Sequence, residues 1–526
     1  MSDPAAFVPG APDQSGAHGT APGSRRIGAG FAAAAVVLLA LALAVRVQRA
    51  TLPFSFYEYA SLFFSSRSWR ELWSTWMVRE TNPALFYSLL KLWRAVVPDE
   101  GLALRGLDIL FALARMVLLA GFVRRHYGRW SGLLALALVA LGTHDIFHSV
   151  YLRGYGLAAL AITVSFIGLT GALGEPHPGR ARRWRGLAAY AAGAVVAIYC
   201  HTTMLLWPVI ASLAALLALG PRIGWRRLGG LLAANLAVLL AAGWSLWLSW
   251  IQLHGHTDNI SWIQSLGLRD FLLAARYQIV SSGIQNLILA VVLTAVGTLR
   301  GWPALPTRLA LFSLALGLVL FKLGDGVHPI VNNSTLFWAS TLVVVLMSAA
   351  LAERNGTARS PVVSAAVLAL AVLAGAFQLL RVPAAVPNDW GQVIRTLRAK
   401  PGSALVVTHE VMGVLGQQAC RLETGSARCP FRLIVLADPR RSDAWSRGAF
   451  AGRLVPPDDL PRALAGSREV YVLDREPYEP LPALGVKPQP WPEIRWSDGE
   501  LIGPLAPATL LDGARHVPAQ ESRPGG

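Results

Sequence analysis

The sequence predicts a polytopic α-helical membrane protein of about eleven transmembrane helices, with a small α/β domain after the last of them. Three observations carry this. Hydrophobic residues make up 54% of the 526 positions and charged residues 15%, with a mean hydropathy of +0.46, whereas a soluble globular chain carries roughly 25% charge. Apolar runs recur from residue 28 to residue 380, many of them near the ~20 residues that cross the hydrocarbon of a bilayer. Arginine clusters occupy every second loop between the runs, which is how membrane orientation is set. This composition excludes a disordered, collagen-like or ordinary cytosolic chain. The formal charge of +17 does not point to nucleic acid, because the basic residues lie in short clusters between apolar runs rather than along one stripe. No nucleic-acid partner is expected.

Residues 1–24, rich in Pro, Gly, Ala and Ser, read as a disordered cytoplasmic tail. Arg25 and Arg26 precede the first apolar run, 28–45. The long polar lead and the lack of an A-x-A site after the run favour a retained span over a cleaved signal peptide. Further runs lie near 104–123, 131–143, 154–173, 186–200, 203–219, 228–250, 283–299, 308–321, 331–352 and 361–380. A membrane domain therefore covers 25–380, and an odd number of spans puts the two termini on opposite sides. Charge supports this register. The loops read as cytoplasmic hold sixteen basic residues, Arg124, Arg125 and Arg129 among them, whereas the later outer loops hold Arg153, Arg269, Arg276 and Lys322.

The first outer loop, 46–103, carries several Arg and Lys, but long loops obey the charge rule weakly. Its segment 83–97 is apolar, short and interrupted by Lys91, which suits an interfacial helix better than a span. Trp244, Trp247 and Trp250 mark the outer end of the run at 228–250 as an aromatic belt. From 381 to 526 the pattern changes to a periplasmic α/β accessory domain with a flexible tail. Short buried strands are read at 404–408, 432–437 and 469–473, and helices at 389–400, 411–419 and 458–465. No glycine-rich phosphate loop accompanies them. Three cysteines exclude a disulfide scaffold. Cys200 reads as a packing residue, and Cys420 and Cys429 could form one bridge outside the cytoplasm, stabilising by about 2–3 kcal/mol.

Carboxylates are as unevenly placed as arginines. The outer loops between spans hold Glu58, Glu71, Glu80, Asp99, Glu100, Asp145, Asp258, Asp270 and Asp325, so an active site built on acids belongs on that face. Glu58 lies within the aromatic run FSFYEYASLFF. A carboxylate desolvated there has a raised pKa and is a better base, although an Arg-paired loop carboxylate fits the same residues. Glu80 stands before an Asn-Pro turn. The second outer loop, THDIFHSVYLRGYGLAAL, gathers His144, Asp145, His148, Arg153 and Tyr155. Arg153 could hold a phosphate bidentately or simply snorkel to the interface. His144 and His148 have the i,i+4 spacing of a metal pair on a helix, with only one acid nearby to complete it. Asp108 and Arg115 sit on one face of the second span, and intramembrane charges of this kind pair with each other or with a neighbouring helix. His201, at the outer end of the fifth span, could hydrogen-bond a substrate or be a satisfied packing histidine.

Glu58, then Glu80-Thr81-Asn82-Pro83-Ala84-Leu85-Phe86-Tyr87, then 105–130 ending RRHYGRW, then Tyr151-Leu152-Arg153-Gly154-Tyr155-Gly156-Leu157 and Tyr199-Cys200-His201 follow one another in the chain. In this order they resemble the GT-C superfamily of polyprenyl-phosphate-sugar-dependent glycosyltransferases. The branch is that of protein O-mannosyltransferases, aminoarabinose transferases and lipopolysaccharide-modifying relatives. Departures are visible. Glu58 stands beside Tyr57 where the branch has an acidic doublet, Pro-Ala replaces Pro-Pro, and Asn332-Asn333-Ser334-Thr335 occupy a place that often carries Arg.

The resemblance implies an inverting transferase of the bacterial inner membrane with its active site on the outer face. Glu58 would be the base, with Glu80 and Asp145 orienting the acceptor or holding a cation. Arg153, aided by Arg269 or Lys322, would stabilise the departing polyprenyl phosphate, and Tyr155 and His201 would bind substrate. The implied partners are a polyprenyl-phosphate-linked sugar donor, a glycolipid, glycan or protein acceptor, and membrane lipid. No cofactor is required, and a divalent cation is left open. A transporter or flippase is the rival reading, disfavoured because no internal repeat is found and polar residues gather at outer ends rather than midplane. A scaffold that kept the fold and lost catalysis is the other. A compartment-sensitive reporter fused after Arg129 is expected to signal from the cytoplasm; an external signal overturns the register.

Overall fold

The computed structural model of the chain describes residues 22–174, 180–254, 263–280, 284–332, 334–353, 360–381, 390–426, 428–437, 449–450, 452–474 and 500–507. All but the last three residues of the expected tail lie outside them. Each apolar run folds as helix, because a backbone in hydrocarbon must satisfy its peptide groups within its own segment. The first is α1 (Pro22–Ala50), and the first outer loop follows with α2 (Phe56–Ser65), α3 (Trp69–Leu72), a 3-10 turn (Thr75–Arg79) and α4 (Leu85–Arg94). Next come α5 (Gly101–Tyr127), α6 (Arg129–Leu141), α7 (Thr143–Ser149), α8 (Tyr155–Leu173), α9 (Arg180–Cys200), α10 (Trp207–Leu219), α11 (Gly224–Ala241) and α12 (Gly243–His254). The membrane domain closes with α13 (Leu268–Val280), α14 (Ile284–Gly301), α15 (Leu305–Val327), α16 (Ala339–Ser348) and α17 (Pro361–Arg381).

Among the described residues, six stretches are long and apolar enough to cross a bilayer: Ala29–Ala50, Gly101–Tyr127, Tyr155–Leu173, Thr202–Leu219, Leu305–Val327 and Pro361–Arg381. Two bent pairs, α6 with α7 at 62° and α11 with α12 at 59°, raise the number to eight. The chain is a polytopic membrane protein. Of the other expected spans, α9 begins with Arg180, Arg182, Arg183 and Arg185, and α14 and α16 are shorter apolar helices.

The second bend falls inside 228–250, which the sequence reading took as one run, whereas the first falls at Gly142, at the end of the run 131–143. With 13 residues, α6 is about 20 Å long, well short of the ~30 Å of hydrocarbon. Its last carbonyls would be orphaned at that depth. Arg46 of α1, fully buried, answers them: its guanidinium donates to the carbonyls of Val139 at 3.1 Å and Ala140 at 2.9 Å, a cation on the negative end of the helix dipole. The second run breaks after Ala241, next to Gly243, and glycine is a poor helix former. The three tryptophans of the expected belt therefore ride on α12, turned away from the axis of the span. Tight packing elsewhere depends on small residues. A Cβ on Gly193 of α9 would stand 2.5 Å from the Ala161 carbonyl of α8, so these two helices approach backbone to backbone.

Beyond the membrane domain, α18 (Trp390–Arg398), β1 (Ser403–Val407), α19 (Glu410–Thr424), β2 (Arg432–Leu436), β3 (Leu454–Val455), α20 (Leu460–Leu464), β4 (Glu469–Asp474) and β5 (Glu500–Leu505) form an α/β unit. The sheet order is β3-β2-β1-β4-β5. β1 runs parallel to β2 and β4, β2 runs parallel to β3, and β5 closes the edge antiparallel to β4. A disulfide joins Cys420 of α19 to Cys429, just before β2, whereas Cys200 is a buried free thiol.

This unit is not a separate lobe. α19 packs on α2, and a single hydrophobic core holds Phe56, Tyr59 and Phe63 of α2, Tyr87 and Leu90 of α4, and Trp390, Met412, Leu415 and Tyr471 of the α/β unit. Thiol alkylation of denatured, unreduced protein is expected to label one cysteine of the three; labelling of all three overturns the bridge.

Candidate active site at the ends of the helices

Glu58 falls in the first turn of α2, where the aromatic residues around it pack inward and carry it down with them; it is 2% exposed. Four donors meet its carboxylate. Arg105, one turn into α5, makes a bidentate pair at 2.7 Å to Oε1 and 2.9 Å to Oε2. The amide of Ser55 reaches Oε2 at 2.8 Å and the amide of Leu152 reaches Oε1 at 3.1 Å. Arg105 spends its remaining donors on the carbonyls of Ala50, Leu52 and Pro53. Of the two readings the sequence left open for Glu58, this is the Arg-paired one. Each oxygen already takes an Arg105 bond and a main-chain N–H, so the lone pairs a base would use are spent on the scaffold.

The second carboxylate of the first loop lies in a different company. Glu80 follows the 3-10 turn, and its Oε1 accepts from Tyr87 Oη at 2.9 Å, Arg153 Nη2 at 3.2 Å and Asn82 Nδ2 at 3.0 Å. Arg153 Nη1 also donates to Tyr87 Oη at 3.1 Å. Arg153 comes from the turn between α7 and α8, and Tyr87 from α4, so three segments distant in sequence converge. The group is buried: Arg153 is 8% exposed and Glu80 4%. Burial works against the Arg153 charge, and the anionic Glu80 beside it favours that charge, so its pKa is held above the ordinary value. Burial also raises the Tyr87 hydroxyl well above its usual pKa, against the pull of Arg153, so Tyr87 stays a protonated donor.

Rings extend this cluster. Tyr155 lies 5.4 Å from His201, 4.6 Å from His148 and 5.7 Å from Phe337, centroid to centroid. His201, between α9 and the Thr202–Leu206 turn, pairs through Nδ1 with Thr203 Oγ1 at 2.8 Å. Burial, and then the nearby Arg153 charge, push His201 down to about 3, so it is neutral at physiological pH.

The other expected site residues have partners of their own, although Asp145 lines one cavity with His148 and Phe337. Asp145, in α7, forms an ion pair with Arg115 of α5, which also donates to Ser340 at 2.7 Å and Thr341 at 3.2 Å of α16. Arg115 thus pairs with a neighbouring helix and not with Asp108. Two turns of helix are about 10 Å, too far for an aspartate to follow. Asp108 is fully buried, and among the described residues neither of its carboxyl oxygens has a hydrogen-bond partner. Lys322 donates to the Leu266 carbonyl and stands 3.8 Å from Asp325, while Arg269 is exposed in the first turn of α13. His144 and His148 meet each other, Nε2 to Nε2, at 3.0 Å. Among the described residues no three His, Cys, Asp or Glu side chains gather as metal ligands. Glu80 pairs with Arg153 and Asp145 with Arg115.

Sequence reasoning passed over Arg105, Tyr87, Phe337 and Arg46. Arg46 and Arg105 carried a signal, since an arginine within a span or a turn from its outer end demands a partner. Tyr87 stood at the end of the segment 80–87 that carried the family resemblance but was given no role of its own, and Phe337 carried no signal, being one aromatic residue among many.

No protein-family model and no curated protein matches the sequence. Solved structures do match it in fold. ArnT from Cupriavidus metallidurans in the apo state superposes with a TM-score of 0.60 at 14% identity, over 89% of this chain and 96% of that one. The same protein bound to undecaprenyl phosphate gives a TM-score of 0.60 at 13% identity, over 89% and 97%. The chain has the ArnT fold, which is the fold that the resemblance to GT-C transferases implied.

Two outcomes follow from the geometry. Glu58→Gln leaves Arg105 buried without its counter-charge and is expected to cost roughly 3–5 kcal/mol of stability, read as a lower thermal midpoint in detergent; an unchanged midpoint contradicts the scaffold role. For His201, the unfolded chain binds a proton below about pH 6.5 while the folded chain does not until about 3. Stability is therefore expected to fall as pH drops through that window, and His201→Gln to flatten the dependence of the midpoint on pH.

Proposed function

We propose that this chain is an integral-membrane inverting glycosyltransferase. It moves a hexosyl or pentosyl group from a polyprenyl-phosphate carrier to a glycolipid, glycan or protein acceptor on the outer face of the bacterial cytoplasmic membrane. Eleven crossings would leave the tail inside and the accessory domain, 381–526, outside. The observation that carries the reading is Arg153, a buried guanidinium held at the outer end of α8 by Glu80 and Tyr87. It lies in a fold that ArnT shares and with which ArnT binds undecaprenyl phosphate. A cation so deeply placed is costly unless it is matched, and a lipid phosphate entering from the membrane would add a second anionic partner.

The chemistry follows from these groups. The acceptor hydroxyl gives its proton to the Glu80 carboxylate, and its oxygen forms the new bond at the anomeric carbon. The old carbon–oxygen bond breaks with its electron pair on the departing phosphate, and the centre inverts. Arg153 donates to the phosphate oxygen where charge develops, while the single Tyr87 hydroxyl proton stays in its bond to Glu80. Tyr155 and neutral His201 supply the ring and hydrogen-bond surface against the sugar. The base role passes from Glu58 to Glu80, because the Glu58 oxygens are taken by Arg105 and two amides. Asp145 is held by Arg115, and Lys322 or Arg269 would assist only by leaving their present settings. No step needs a divalent cation.

Mass spectrometry of envelope glycolipids and glycans from a deletion strain tests this. One sugar mass is expected to disappear and to return with the wild-type gene. Glu80→Gln is expected to lower the restored product by about 10²–10⁴-fold, as loss of a general base does, and Arg153→Lys by about 10–100-fold, both at wild-type expression. If neither variant differs from wild type, the roles of Glu80 and Arg153 fall. If no glycan changes on deletion, the transferase reading itself falls and lipid transport is the reading to assay.

A further inference from the structure

We propose that α12 is a strap seated in the outer surface of the bilayer that positions Glu80, and that Gln252 is the residue through which it does so. This rests on the transferase reading of Glu80. After the 59° bend from α11, α12 presents two stripes at helical spacing. The inward stripe is Trp244, Ser245, Leu248 and Gln252. Ser245 and Leu248 are buried, and Leu248 joins the core beneath the first outer loop. The Trp244 ring lies 5.3 Å from Trp73 of that loop and stacks 6.1 Å from Tyr199. Eight residues on, Gln252 Nε2 donates to the carbonyl of Glu80 at 2.7 Å and to that of Val78 at 3.3 Å.

The opposite stripe, Trp247, Trp250 and Leu253, is 48%, 58% and 62% exposed. Its occupant is lipid, because the same kind of surface runs up α11, whose Leu232, Leu236, Leu239 and Leu240 are also exposed along a helix in the membrane domain. Tryptophan at the end of such a surface settles at the headgroup level, apolar ring in and N–H out. α12 is thus held from one side by the bilayer and from the other by the loop it crosses.

Gln252 holds the main chain of Glu80, so it is a positioning residue. Glu80 sits in extended conformation at the end of the 3-10 turn (φ −117°, ψ 138°). The direction in which its carboxylate leaves the backbone therefore depends on where that peptide is held. A misplacement of about 1 Å at a reacting group can cost about 10²-fold in rate.

The test uses two substitutions. Gln252→Glu keeps the shape and replaces the donating amide with a carboxylate facing two carbonyls; Gln252→Lys keeps a donor at similar reach. In the complemented strain, at equal expression, Gln252→Glu is expected to lower the sugar-modified product about tenfold and Gln252→Lys to restore most of it. Wild-type product from Gln252→Glu, or loss from both variants alike, overturns the positioning role.

Hydrogen exchange in phospholipid nanodiscs separates this from the transferase reading. Faster exchange over 78–82 in Gln252→Glu, with α5 and α8 unchanged, supports the strap even if no glycan depends on the protein; unchanged exchange overturns it. A spin label at Leu253→Cys is expected to be more accessible to oxygen than to a water-soluble nickel chelate. The reverse order overturns the lipid seat.

Discussion

The pair between Arg105 and Glu58 is the constraint on which the outer half of the molecule depends. One guanidinium gathers the end of α1 through three carbonyls, the start of α2 through Glu58, and the axis of α5 from which it extends. The carboxylate extends the grip to Leu152, the residue before Arg153. Neither charge would be stable alone at this depth, since an uncompensated buried ion costs several kcal/mol. Together they satisfy each other and the loose main chain around them. Arg153 is thereby delivered to Glu80 by a turn whose neighbour is pinned to the first loop.

The same rule, that a charge taken out of water must find a counter-charge or carbonyls, explains most of the polar residues within the bundle. Arg46 caps the short α6, and Arg115 joins Asp145 to α16. Asp325 accepts from the amides of Leu266, Ile330 and Val331 and ties the two loops at the end of α15 together. Asp108 is the departure, with both oxygens lacking hydrogen-bond partners among the described residues. Gly156 lies over it: a Cβ there would stand 3.0 Å from its Oδ1.

The first outer loop is braced from three directions. Below it are the ends of α5 and α8, to one side α12, and above it α19 of the α/β unit, locked to the strand that follows by the Cys420–Cys429 bridge. A loop of this length would otherwise have many conformations to lose. Here its aromatic residues share one core with Trp390 and Met412, so the α/β unit contributes to the order of the site.

By itself the sequence determined what periodicity and the cost of burying charge can express. The apolar runs became helices, 83–97 became the short α4 in the first loop, and 404–408, 432–437 and 469–473 are strands, because each signal is local and repeats along the chain. It also brought Glu80, Arg153, Tyr155 and His201 forward as site residues, and the structure places them near one another. Tertiary structure decided the partners. Glu58 and Glu80 look alike in sequence, two loop carboxylates among aromatics, yet one meets Arg105 and two amides and the other meets Arg153 and Tyr87. The bends before α7 and α12 were likewise hidden, since they arise where a distant arginine or a docking loop rewards leaving the helix axis. Which charge meets which is a matter of contacts between segments tens to hundreds of residues apart, and no local pattern in the chain encodes that.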